Sequence, residues 1–241
     1  MQSNNRFTKE NIDMYLKELG KEYRKLNGKN SPAEIILIGG ASILINYDFR
    51  DMTYDIDGLL QASSAIKDAI NNVGNKYDLP RKWLNEDFKN TTSYTPRIVR
   101  YSKYYRTFSN ILTVRTVSAE YLIAMKLVAG REYKHDLSDI IGILKNEAAK
   151  GNIITWDNIN KAVCDLYDGW DIISESVKQD IEFIIKSEDL DSLYEQNKEN
   201  EAENSRRLLK LNQDYPDAIT NDNIEEVLKQ LNKQKKNPND F

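Results

Sequence analysis

Residues 38–57 read Ile38-Gly39-Gly40-Ala41-Ser42-Ile43-Leu44-Ile45-Asn46-Tyr47-Asp48-Phe49-Arg50-Asp51-Met52-Thr53-Tyr54-Asp55-Ile56-Asp57. An apolar strand, Glu34–Ile38, runs into two adjacent glycines, and a short apolar helix over 41–47 follows. Then come an Arg50-x-x-Thr53 turn and two aspartates separated by one residue. Glycines lack Cβ atoms, so the backbone at Gly39-Gly40 can take unusual torsions and approach a phosphate closely. Ser42 adds a hydroxyl near a helix start, where free N–H groups and the helix dipole favour an anion. On a strand, residues i and i+2 point to the same face. Asp55 and Asp57 are therefore expected to present two carboxylates side by side, a donor pair suited to a hard divalent cation. A solvated strand face is the plain alternative. It is disfavoured because paired acids lower strand stability by propensity and by mutual repulsion.

The ordered combination of strand, Gly39-Gly40, helix and Asp55-x-Asp57 resembles the nucleotidyltransferase superfamily that includes DNA polymerase β. The form Arg50-x-x-Thr53-x-Asp55-Ile56-Asp57 is most similar to the branch holding abortive-infection toxin nucleotidyltransferases and related uncharacterised bacterial proteins. The resemblance implies an α/β (α+β) fold: a small mixed β-sheet core flanked by helices, with a C-terminal helical region. It also implies transfer of a nucleoside monophosphate from an NTP to an acceptor hydroxyl, with magnesium, two ions, held by Asp55 and Asp57. Gly39, Gly40, Ser42, Arg50 and Thr53 are the expected nucleotide-binding residues.

Downstream, Lys126 lies in Ala119-Glu120-Tyr121-Leu122-Ile123-Ala124-Met125-Lys126-Leu127-Val128-Ala129, a segment apolar on both sides of it. A lysine so placed must snorkel to water or find an anionic partner. The block Lys126-x4-Arg131-x4-Asp136-x2-Asp139 resembles the second motif of the same branch. That resemblance implies contact of Lys126 and Arg131 with the nucleotide phosphates and a catalytic role for Asp136. Many superfamily members carry a third carboxylate on a later strand. The segment Asn110–Val117 holds Thr113 and Arg115 but no acid, so Asp136 is expected to supply that charge. The plain readings are a snorkelling Lys126 and an Asp136 paired with Arg131 or Lys134, and for Arg131 and Asp139 the two readings balance. His135 is the single histidine, and it reads as a helix-terminal polar residue.

No acid occurs between Asp87 and Glu120, whereas Lys89, Arg97, Arg100, Lys103, Arg106 and Arg115 are interleaved there with Tyr94, Tyr101, Tyr104, Tyr105 and Phe108. Arg97, Arg100, Lys103 and Arg106 are candidates either for neutralising the triphosphate of a bound nucleotide or for binding an acceptor such as tRNA or another RNA through phosphates and stacked bases. A hairpin with solvated arginines and packed tyrosines is the alternative.

The 241 residues, 40% hydrophobic and 30% charged, suit one large domain or a catalytic domain with an appendage. We expect a catalytic domain over 1–150 and a helical region over 151–241, its end (235–241) disordered. A formal charge of −4 argues against indiscriminate nucleic-acid binding. Cys164 is the only cysteine, which leaves no internal disulfide and no cysteine-based zinc site. No apolar run reaches membrane-spanning length, and the first residues lack a signal-peptide core; a cytoplasmic protein is expected.

Helices are expected over 8–27, 63–73, from 119 to Gly130, over 134–148, from Thr155, over 172–186 and over 221–233. Strands are expected at 97–101 and 110–117. The acidic and amide-rich segment 188–204 reads as an exposed helix or a tether. With the final amphipathic helix it motivates a cognate antitoxin-like partner. A non-catalytic nucleotide-binding or protein-interaction member of the fold is the competing reading.

Overall fold

The computed structural model describes residues 6–131, 134–216, 218–220 and 223–236. A five-stranded mixed sheet is built from β1 (Ala33–Leu37), β2 (Ile56–Gln61), β3 (Leu84–Asn85), β4 (Ser102–Phe108) and β5 (Leu112–Val117) in the order β3-β2-β1-β5-β4. β1 is central, antiparallel to β2 and parallel to β5. Being covered on both faces, it is apolar and buried from Ile35 to Leu37, with Glu34 only half-buried near its start. Ile35 and Leu37 pack on one face with Leu112 and Val114; Ile36 packs on the other with Leu59 and Val117.

The first face is covered by α1 (Lys9–Asn27) and α3 (Ala65–Tyr77). In α1 the buried residues Ile12, Leu16, Leu19 and Tyr23 follow the three-and-four spacing of one helical stripe. Thr8 caps it in a reciprocal box with Asn11, and Gly28 at φ +75° ends it. α2 (Gly39–Asn46) joins β1 to the segment before β2.

The second face carries α4 (Ala119–Ala129), α5 (Asp136–Ala149), α6 (Trp156–Tyr167) and α7 (Glu175–Lys186). Helices on both sides of Gly151 contribute to this one cluster, Ile123 and Ile141 together with Val163 and Ile181. α4 is buried continuously from Leu122 to Leu127, the pattern of a helix inside a core. The segment read as a helix or tether is the start of α8, a helix running from Leu190 to Asp214. α9 (Ile224–Lys236) follows it. Residues 235 and 236, expected to be disordered, end α9, and 237–241 lie outside the described residues.

One strand expectation is corrected. Residues 97–101 belong to a 3₁₀ turn, Pro96–Tyr101. Pro96 fixes φ at the first position, and Thr95 accepts a hydrogen bond from the Arg97 amide at 3.3 Å. The strand begins only afterwards, at Ser102, as the sheet edge. β5, expected at 110–117, pairs with β1 and β4. The neighbour of Asp57 is β3, where Asn85 lies opposite it.

Candidate functional site

The site gathers where β1 ends and β2 begins. The Ile38 amide donates to the Asp57 carbonyl at 2.9 Å, which sets the Gly-Gly turn beside the aspartates. Gly39 adopts φ +54°, with open space where a Cβ would stand. No side chain caps α2, so its first amides have no partner within the helix. Gly40 has a different reason to be glycine. A Cβ there would lie 2.8 Å from Thr53 Oγ1 and 3.1 Å from the Arg50 guanidinium. The close approach is made by the protein's own side chains.

Ser42, expected to face an anion, is fully buried. Its Oγ accepts from the Val117 amide at 3.1 Å and from Asn46 Nδ2 at 3.5 Å. The hydroxyl pins α2 to β5 and does not lie on the Gly39 surface.

β2 starts at Ile56, so Asp57 is within the strand and Asp55 immediately precedes it. Asp55 is exposed and Asp57 partly buried. Burial pushes the Asp57 carboxyl up to about 6, and the negative charges of Asp55 and Asp87 add to the effect. Lys134 and Arg131 oppose it. Asp87, which opens a 3₁₀ turn just after β3, was not singled out in the sequence. A two-residue strand leaves no periodicity by which its position could be found.

Thr53 and Arg50 brace this corner. Thr53 pairs with Phe7 in a backbone bridge, 2.8 and 2.9 Å, and its Oγ1 donates to the Asp55 carbonyl at 3.2 Å. Arg50 donates to the Met52 carbonyl at 3.2 Å and to Asp139 Oδ2 at 2.6 Å.

Behind Arg50 lies a closed ionic cage. Lys126, within the buried stretch of α4, contacts Asp136 Oδ1 at 2.8 Å and Asp139 Oδ2 at 2.7 Å. Arg131 reaches both oxygens of Asp136, at 2.9 and 3.2 Å, and its backbone amide donates to the same carboxylate at 3.1 Å. Burial alone would raise the Asp136 carboxyl, but Lys126 and Arg131 hold it well below the usual range. Burial likewise works against the Lys126 ammonium, and Asp136 and Asp139 more than reverse it. Lys126 therefore meets its charge requirement with protein carboxylates and does not snorkel.

Lys134, between α4 and α5, is a cation that the sequence reading passed over as a site residue. It is exposed, with no ion pair among the described residues. Desolvation and the charges of Arg131 and Lys126 lower its ammonium below the ordinary lysine value, against the pull of Asp136 and Asp55. It is an exposed positive charge whose field acts on both aspartates.

The basic strip is mostly neutralised. Arg97 pairs with Asp168 at 2.7 Å, Arg106 with Asp13 at 2.7 Å and Lys89 with Glu86 at 2.6 Å. Tyr101 stacks on Tyr121 at 3.9 Å, and Tyr105 donates to Asp13 at 2.8 Å. Arg100 and Lys103 are exposed and have no ion pair among the described residues, and Tyr104 is 62% exposed.

A family model described as a nucleotidyltransferase of unknown function (DUF6036) matches residues 14–176. The chain belongs to this nucleotidyltransferase family. The match spans the sheet, both glycines, the two aspartates and the ionic cage, and it ends at the start of α7. Neither a curated protein nor a solved structure matches the chain. Among the described residues, no helix is long and apolar enough to cross a membrane.

Proposed function

We propose that this nucleotidyltransferase-family chain transfers a nucleoside monophosphate from an NTP to an acceptor hydroxyl, and that the reaction depends on a divalent cation. The observation that carries the reading is the pairing of Asp55 with Asp57 beside the uncapped start of α2. Among the described residues no three acidic, histidine or cysteine side chains converge into a ready cation cage. Two carboxylates and no more suit magnesium, which keeps much of its shell in water and substrate phosphates. Burial, with the added charges of Asp55 and Asp87, raises the Asp57 carboxyl, and a bound cation would offset both effects. Asp55 and Asp57 would hold it, and when bound it supplies charge stabilisation to the phosphate oxygens.

The chain's own groups do the rest. The free amides at Gly39 face the triphosphate, and Lys134 adds positive charge. The acceptor oxygen forms a bond to the α-phosphorus as the α–β bridging bond breaks, releasing pyrophosphate and the hydroxyl proton. Lys126, Asp136, Arg131 and Asp139 serve as the framework that fixes Arg50, and through it the Asp55 turn. Arg100, Lys103 and the exposed Tyr104 support an RNA acceptor, since free cations and an aromatic face recur in single-strand recognition.

The test is incubation with each α-phosphate-labelled NTP, magnesium and total RNA, with Asp55→Asn and Asp57→Asn alongside. Label should pass to RNA, and either substitution should reduce it about 10³-fold. Nucleotide binding without label transfer would select the non-catalytic reading instead. That alternative is favoured by one observation, the mutual neutralisation of Lys126 and Asp136.

A further inference from the structure

α8 lies wholly beyond the family match, yet it touches the site at two points. Glu201, 4% exposed in a helix of otherwise polar composition, reaches the first turn of α5. It accepts from the Leu137 amide at 3.2 Å, the Ser138 amide at 3.1 Å and Ser138 Oγ at 2.5 Å. His135 Nδ1 lies 3.4 Å from its other side. The N-cap residue of α5 is His135, whose side chain makes no capping bond. Glu201 therefore satisfies amides that a local cap would ordinarily satisfy.

One to two turns earlier, Tyr194 donates to the Phe49 carbonyl at 3.2 Å and meets the Phe49 ring edge-on at 6.0 Å. Phe49 lies so close over Gly142 of α5 that a Cβ there would be 2.6 Å from its ring. The two contacts straddle the residues that matter. Ser138 stands between Asp136 and Asp139, and Phe49 immediately precedes Arg50, which bonds Asp139.

We propose that α8 is a clamp on the site and that Glu201 is its positioning residue, holding the start of α5 so that Asp139 and Arg50 fix the Asp55 turn. A buried carboxylate carries a large desolvation cost and is retained only with good partners. Three donors at one helix start meet that requirement. The proposal rests on the nucleotidyltransferase reading for its kinetic consequence, but its structural consequence stands without it.

The experiment compares Glu201→Ala, Glu201→Gln and Tyr194→Phe in the full chain, by steady-state kinetics and by hydrogen exchange. Glu201→Ala should lower kcat about 10–100-fold with little change in KM, because a displaced site loses orientation more than binding. Glu201→Gln should recover most of it, since an amide oxygen can accept from the same two amides. Exchange at 137–139 and 50–53 should quicken about tenfold in Glu201→Ala, the equivalent of one lost hydrogen bond, while β1 and β5 stay protected. Tyr194→Phe should quicken 50–53 alone. A Glu201→Ala chain with unaltered exchange, with equal quickening in β1 and β5, or with no rescue by Gln would overturn the clamp. If the wild-type chain transfers nothing, the function proposed above fails, and the exchange pattern still decides the clamp.

Discussion

The Lys126 cage and the Asp55–Asp57 corner sit on either side of Arg50, and they treat charge in opposite ways. In the cage, Lys126, Arg131 and Arg50 answer Asp136 and Asp139, every short contact lies between 2.6 and 3.2 Å, and both carboxylates are buried. At the corner, burial and the charges of Asp55 and Asp87 raise the Asp57 carboxyl, with Lys134 and Arg131 as the opposing charges. A satisfied network is a framework, because each member is held by the others. A pair of like charges left partly unanswered is where a cation and a triphosphate gain most. The difference teaches that a chemistry-bearing residue is better recognised by what remains unsatisfied around it than by its place in a motif. Lys126 and Asp136 complete a motif, and their partners are each other.

The sharpest way to break this contrast is to remove the cage cation. Lys126→Met should cost about 3–5 kcal/mol of stability, since it leaves Asp136 and Asp139 buried with only the arginines. Denaturant unfolding checks this. A loss below 1 kcal/mol would mean that the network is not the framework described. Acid acts on the same contacts. The stabilisation from Asp136, whose folded value is depressed, is present above its unfolded value near 3.8 and fades as pH falls through the lower folded one.

The corner should respond with the opposite sign. Asp57 titrates near 6 in the folded chain against 3.8 as its ordinary value. The stabilisation from its protonated form is complete below 3.8 and is lost as pH rises through about 6. Without divalent cations, Asp57→Asn should therefore be more stable than wild type at pH 7, by about 1–3 kcal/mol. The advantage should shrink toward pH 4. A difference that does not vary with pH would mean that the carboxyl is not strained.

The smallest effect belongs to Lys134. Lys134→Ala should weaken NTP affinity about tenfold, the loss of one charge-assisted contact, with stability nearly unchanged. Titration calorimetry with a non-hydrolysable NTP measures it. If Lys126→Gln weakened binding more at equal foldedness, the cage lysine would be the phosphate contact after all.

Much of the core was legible because its signals are local. The strand into Gly39-Gly40, the stripe Ile12, Leu16, Leu19 and Tyr23, and the caps at Thr8 and Thr155 rest on neighbouring residues. What escaped is set by distance along the chain. Arg97 and Arg106 looked free in the sequence, yet their partners Asp168 and Asp13 are 71 and 93 residues away. Glu201 read as one more acid in a solvated segment, because nothing nearby announces a carboxylate bound 63 residues off. Ser42 was assigned to an anion by its place in α2, whereas its orientation follows from β5 passing behind it. Asp87 depended on β3, too short to leave a pattern.

Cation binding tests the central claim most directly, that the open pair and not the cage is the chemical centre. Manganese binding, measured by electron paramagnetic resonance with a non-hydrolysable NTP from pH 5 to 8, should strengthen with pH and level off above about 6, following the Asp57 carboxyl. It should be lost in Asp57→Asn and retained in folded Lys126→Met. Undiminished, pH-independent binding in Asp57→Asn would contradict the account.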